Sequence, residues 1–195
     1  YNKKEALIYN TVQMYLKNKI KYLEHLLSYS KKELFVPGVK VVRGAYMEKE
    51  RSRSKRLGYD DPICNSKIET DKNFNDALKF LVKNFKYFNF MVGSHNEESS
   101  YLLMDLMKKN KIKNNNKNIW FAQLYGMSDQ ISFNIASLGY NVCKLLPYGP
   151  VEEVIPYLIR RAEENSSVRG QSTRELDLIK KEFERRRINS QSLLH

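Results

Sequence analysis

The chain has 195 residues, 42% of them hydrophobic, with a net charge of +12. That length and composition suit one globular domain with a real core and exclude a disordered chain. No apolar run approaches the roughly 20 residues of a membrane-spanning helix.

Two cysteines, Cys64 and Cys143, form no CxxC pair and suggest neither a disulfide framework nor a metal site. The basic residues are scattered, and no zinc-knuckle or RNA-binding signature accompanies them, so nucleic acid is not an expected partner. The sequence begins at Tyr1 and reads as part of a longer chain.

In chain order, EALIYN (5–10) reads as a short strand and 11–30 as a helix, with apolar residues at helical spacing. Pro37-Gly38 breaks the chain before a β-branched strand, VKVVRGAY (39–46). A helix over 74–85, a strand at 88–95 and a helix capped by Asn96 and running to Lys109 follow. The segment 108–118, KKNKIKNNNKN, reads as a low-complexity, solvated surface insertion. Next come a strand at 119–126, a helix over 129–138 stopped by Gly139, and a strand at 141–149. Pro150 opens a helix through Asn165, with Glu152 and Glu153 in its first turn, and 172–187 reads as a last charged helix.

The order is βα repeated five times, which predicts a parallel α/β sheet. Alternation alone does not choose between an open sheet and part of an eight-stranded barrel. Either architecture binds ligands where strands end. Polar or glycine-bearing clusters fall at all five ends: Asn10 and Gln13, Arg43 to Tyr46, Ser94 to Asn96, Gln123 to Gly126, and Tyr148-Gly149.

On the stretches VVRGAYMEKER (41–51), GSHNE (93–97), FAQLYGMSDQI (121–131), LPYGPVEEVIPYLIRRAEEN (146–165) and LIYNTVQMYLK (7–17), the chain resembles the proline dehydrogenase family. The resemblance implies a parallel (β/α)8 barrel of the TIM type, of which residues 1–195 supply strands four to eight with their helices. It implies FAD bound non-covalently at the strand ends and oxidation of L-proline to 1-pyrroline-5-carboxylate, with electrons passed to a quinone. Hydroxyproline is the alternative substrate. A catalytically inactive basic fragment is the alternative from another class, because the family's early strands, which carry a substrate-binding lysine and an aspartate, match nothing here. The eukaryotic style of the motifs implies a mitochondrial protein on the matrix side of the inner membrane, and the basic charge would suit peripheral association with an anionic surface.

Tyr157, Arg160, Arg161 and Glu164 fall at i, i+3, i+4 and i+7, on one helical face. From spacing alone this is equally a solvated basic turn or a carboxylate clamp built from two guanidinium forks. The resemblance selects the clamp, with Arg160 and Arg161 on the proline carboxylate, Tyr157 against the ring, and Glu164 near the flavin. Period two puts Lys40, Val42, Gly44 and Tyr46 on one strand face. The resemblance makes Lys40 the basic residue at the flavin N5 edge and, with the two arginines, catalytic.

It implies further cofactor contacts from Arg43, Gly44 and Ala45, mainly through backbone, and from Ser94, His95 and Asn10. Lys67 would reach the cofactor phosphates. Tyr46, Leu124 and Leu145 would line the substrate pocket, although a leucine at 124 is equally a core residue. Leu145 stands where proline-specific members carry Tyr.

Overall fold

Ser66 begins the longest of the described helices for a local reason. Its extended backbone (φ −145°) lets the side chain accept the Glu69 amide, while the Glu69 carboxylate accepts the Asn65 amide at 2.7 Å. Asn96 caps a later helix in the same way, by accepting the Ser99 amide.

In the computed structural model, residues 1–166 are described, and beyond them 176–177, 180–181, 183–185 and 187; the helix expected over 172–187 thus lies outside the continuously described residues. The described chain divides into two compact units, Tyr1–Leu145 and Leu146–His195.

The first unit is a parallel sheet of five strands, β1 (Tyr9–Gln13), β2 (Gly38–Val42), β3 (Asn89–Gly93), β4 (Ile119–Leu124) and β5 (Val142–Leu145), each paired with its neighbour in sequence. Five helices connect them: α1 (Lys19–Glu33), α2 (Met47–Leu57), α3 (Lys67–Lys83), α4 (Glu97–Lys109) and α5 (Asp129–Ser137). Helix α6 (Val151–Ser166) belongs to the second unit and carries Pro156 inside it.

The core occupies one face of the sheet. Val12, Val39, Val41, Phe90, Val92, Ile119 and Phe121 meet Leu23 of α1, Phe74, Leu78 and Leu81 of α3, Leu103 and Met107 of α4, and Ile131 and Ile135 of α5. Each large side chain withdrawn from water there contributes about 1.5–3 kcal/mol. The intervening residues turn to the opposite face, where the register aligns Thr11, Lys40, Met91 and Trp120 in one row, and Gly93, Ala122 and Cys143 in another.

Several elements differ from expectation: α1 begins at Lys19 and not at 11, α3 begins at Lys67 and not at 74, and β5 is confined to Val142–Leu145 within the expected 141–149. β1 starts at Tyr9, because the Asn2 side chain accepts the Leu7 and Ile8 amides and bends that apolar stretch into a turn. β2 ends at Val42, so Gly44 and Tyr46 are not strand residues. Helix α2 is additional: its sequence MEKERSRSKRL buries only Ser54 and offers no apolar stripe to recognise. The stretch 108–118 is likewise less than fully solvated. It begins inside α4, buries Ile112, and fixes its turn through Asn116, whose side chain accepts the Asn118 amide.

Candidate active site

All five strands run parallel, so their C-terminal ends share one rim, the position at which such sheets bind ligands. Lys40 lies on the sheet face away from the core, half-buried. Its stem passes over Gly93: a Cβ there would stand 3.4 Å from Lys40 Cε and 2.9 Å from Val42 Cγ1. Among the described residues no hydrogen bond or ion pair holds the Lys40 ammonium. Cys143 shares this face, and burial pushes its thiol above the usual range while the Lys40 charge pulls the other way.

Arg43 is engaged within the protein. Its guanidinium donates to Asp71 Oδ1 at 2.6 Å, Ser94 Oγ at 3.1 Å and Ser99 Oγ at 2.9 Å, and it stacks over the Phe74 ring at 4.3 Å. Asp71 also accepts Lys67 Nζ at 2.7 Å, which ties Lys67 into the same network. Burial would raise the Asp71 pKa, but the hydrogen bonds from Lys67 and Arg43 and their charges outweigh it and hold the carboxyl below its usual range.

The backbone that follows is also partly used. The Arg43 carbonyl accepts the Tyr15 amide at 2.7 Å, and the Ala45 amide donates to Gln13 Oε1 at 3.4 Å. Gly44 has φ +123°, and a Cβ on it would fall 1.5 Å from the Tyr15 ring. Its close approach is therefore to a buried side chain of this chain.

Asn10 leaves the expected group. It lies on the Val12 face, and its amide donates to Tyr22 Oη of α1 at 2.8 Å. Gln13, three residues on, stands on the Lys40 face at the strand end. Leu124 and Leu145 are brought together as paired residues of β4 and β5, one buried and the other 44% exposed. Tyr46 is exposed at the start of α2, with Lys49 Nζ 5.5 Å from its ring centre.

Ser94 accepts the Asn96 amide as well as Arg43, and its carbonyl accepts Gln123 Nε2 at 3.3 Å. His95 Nδ1 lies 2.9 Å from Ser128 Oγ. Ser128, Asp71 and Ser99 were not evident as site residues in the sequence. Lys67 and Asp71 at i, i+4 behind the Ser66–Glu69 start could have pointed to Asp71; Ser128 follows Gly126 in a loop with no periodic signal. Ser128 precedes α5 in left-handed backbone (φ 53°, ψ 41°), which costs a non-glycine residue roughly 1–2 kcal/mol.

In the second unit, α6 carries Tyr157, Arg160 and Arg161, and the Arg161 guanidinium lies 5.3 Å from the Tyr157 ring centre. Glu164 is within this helix, but its side chain lies outside the described residues.

The rim therefore gathers the Lys40 ammonium, unpaired among the described residues, the Gln13 amide and the His95 imidazole. That donor set suits an anionic ligand with acceptor oxygens, as a flavin dinucleotide is, and the residues fit it.

A parallel βα sheet with its polar residues gathered at the C-terminal strand ends is the architecture of an α/β protein of the open-sheet or barrel type. The proline dehydrogenase family model matches residues 1–174. "Proline dehydrogenase 1, mitochondrial" of Dictyostelium discoideum is 46% identical over 193 residues, covering 95% of this chain and 34% of that protein. "Hydroxyproline dehydrogenase" of Xenopus laevis is 41% identical over 192 residues, covering 96% of this chain and 41% of that protein. Proline utilization A from Bdellovibrio bacteriovorus, in a crystal structure of the protein inactivated by N-propargylglycine, superposes with a TM-score of 0.79 at 27% identity, over 87% of this chain and 17% of that one.

The chain belongs to the proline dehydrogenase family. Its five strands are part of a (β/α)8 barrel, and it spans about a third of the length of the curated proline dehydrogenase it matches.

Proposed function

We propose that the protein containing this chain oxidises L-proline to 1-pyrroline-5-carboxylate with bound FAD, in mitochondria, as a step of proline catabolism. The observation that carries this reading is Lys40: a half-buried ammonium on the sheet face away from the core, without a hydrogen-bond or ion-pair partner among the described residues, in a chain of this family. A cation there stabilises negative charge arriving nearby.

Bound FAD supplies the two-electron acceptor for the hydride leaving the ring carbon beside the nitrogen. Arg160 and Arg161 bind the substrate carboxylate through charge-assisted hydrogen bonds, and Tyr157 packs against the ring. Leu124 and Leu145 form an apolar wall, and the clamp restricts the substrate to one orientation. Lys40, Gln13, His95 and the backbone around Gly44 hold the cofactor. A quinone of the inner membrane, approached from the matrix side, takes the electrons onward, and the basic surface supports contact with anionic lipid.

Hydroxyproline is the second reading, favoured by the exposed Leu145, which leaves room beside the ring. An apolar wall neither pairs with a ring hydroxyl nor strongly rejects it, the penalty being about a hundredfold at most. The test uses the full-length protein. It should purify yellow and reduce a quinone analogue when given proline.

Arg160→Ala and Arg161→Ala should each lower kcat/KM by roughly 30-fold or more, the consequence of losing about 2 kcal/mol or more from a buried charge pair, with FAD content retained. Leu145→Tyr should raise the proline-to-hydroxyproline ratio. A well-folded colourless protein contradicts the flavin reading, and an arginine effect below about threefold removes the clamp.

A further inference from the structure

Ser128 differs from the two helix starts of the sheet unit whose side chains cap, Ser66 and Asn96, and resembles Asn18 before α1 in being left-handed without a side-chain cap, but unlike Asn18 it is buried. Ser66 and Asn96 have extended backbone, and their side chains accept an amide of the helix they begin. Ser128 is buried, left-handed at φ 53°, and makes no capping hydrogen bond to α5. Its hydroxyl instead lies 2.9 Å from Nδ1 of His95, 33 residues away. The nearby Ser132 hydroxyl is occupied, at 3.0 Å from Gln123 Oε1 and 3.1 Å from the Ser128 carbonyl. The backbone before His95 is fixed as well, since Ser94 is held by Arg43 at 3.1 Å and by Gln123 Nε2 at 3.3 Å.

We propose that Ser128 is a positioning residue for His95: its hydroxyl donates to Nδ1, keeps the proton on Nε2, and fixes the plane in which the imidazole meets the cofactor. A strained residue whose side chain is diverted from its local role is a reasonable origin for a functional hypothesis. A hydroxyl bonded to one ring nitrogen sets the tautomer of the other. A neutral ring with Nε2–H is a donor, which is what the acceptor oxygens of a flavin dinucleotide require. This last step rests on the flavin reading above; the Ser128–His95 coupling does not.

The experiment uses the full-length protein and its Ser128→Gly, His95→Ala and double variants. Glycine adopts the left-handed backbone without strain, so Ser128→Gly removes the hydroxyl and leaves the loop able to form. Three quantities are measured: the His95 tautomer by 15N-histidine NMR with and without FAD, the FAD dissociation constant, and the unfolding temperature.

Wild type should show the Nε2–H tautomer, and Ser128→Gly a mixture. FAD affinity should fall about tenfold in Ser128→Gly, or about 1.4 kcal/mol, but less than twofold further when the same change is made in His95→Ala. General destabilisation would act equally in both backgrounds. An unchanged tautomer in Ser128→Gly, or an equal affinity loss with and without His95, overturns the proposal. A wild-type protein that binds no FAD overturns the flavin reading, while the NMR comparison without FAD still decides the coupling.

Discussion

Gly44 combines a backbone angle of φ +123° with a Cβ position inside the Tyr15 ring. Tyr15 is itself almost wholly buried, so the ring has little room to yield. Gly44→Ala should therefore destabilise by about 3 kcal/mol or more, the sum of backbone strain and overpacking. Chemical denaturation of the full-length protein measures this, and an unchanged midpoint would show that the β2–α2 turn tolerates a side chain.

At the same scale, the need for glycine at 44 was legible in the sequence, but its reason was not. A strand-end glycine suggests room for a ligand, and only the fold reveals that Tyr15, far back in the chain, fills the space. For Asn10, the resemblance supplied the flavin-contacting amide, and the parity of β1, which sets Asn10 on the Val12 face and Gln13 on the Lys40 face, was not legible until the strand limits were known.

The clasp between β2, α3 and α4 rests on one carboxylate, Asp71, which holds both Arg43 and Lys67. Its pKa is lowered in the fold, so its contribution is full above the unfolded carboxylate value, near 3.9, and is lost as pH falls through the folded value. Asp71→Asn should cost about 1–2 kcal/mol at neutral pH, modest because the pair is partly solvated. The deficit relative to wild type should narrow below about pH 4, as thermal unfolding across pH would reveal. A deficit constant with pH would mean that Asp71 acts by shape and not by charge.

Elements with a capping residue and an apolar stripe were readable: α4 from Asn96 to Lys109 is one such case. Helix α2, charged at seven of its eleven positions, carries no such signal, and the Ser66–Glu69 start of α3 was present but overlooked behind its more apolar second half. Pro156, inside α6, was compatible with the helix but lacks the amide that would bond one turn back.

Across the sheet unit, one face is packed and the other presents Lys40, Met91, Trp120 and Cys143, while β1 and β5 each have a neighbour on one side only among the described residues. Exposed strand edges template association. Expressed as these 195 residues alone, the protein should self-associate and unfold without a sharp transition. Sedimentation and calorimetry are the measurements, and a monodisperse monomer with a single cooperative transition would contradict the expectation.

The strand order also bears on how the sheet is made. Each strand from β2 to β5 pairs with the one synthesised just before it, so none of these four pairings waits for a distant segment. The widest closure is between β2 and β3, where Gly38 meets Asn89 across both α2 and α3. Closing a longer loop costs more entropy, though only logarithmically. As the chain leaves the ribosome the sheet can grow strand by strand, with the β2–β3 junction as its slowest joint.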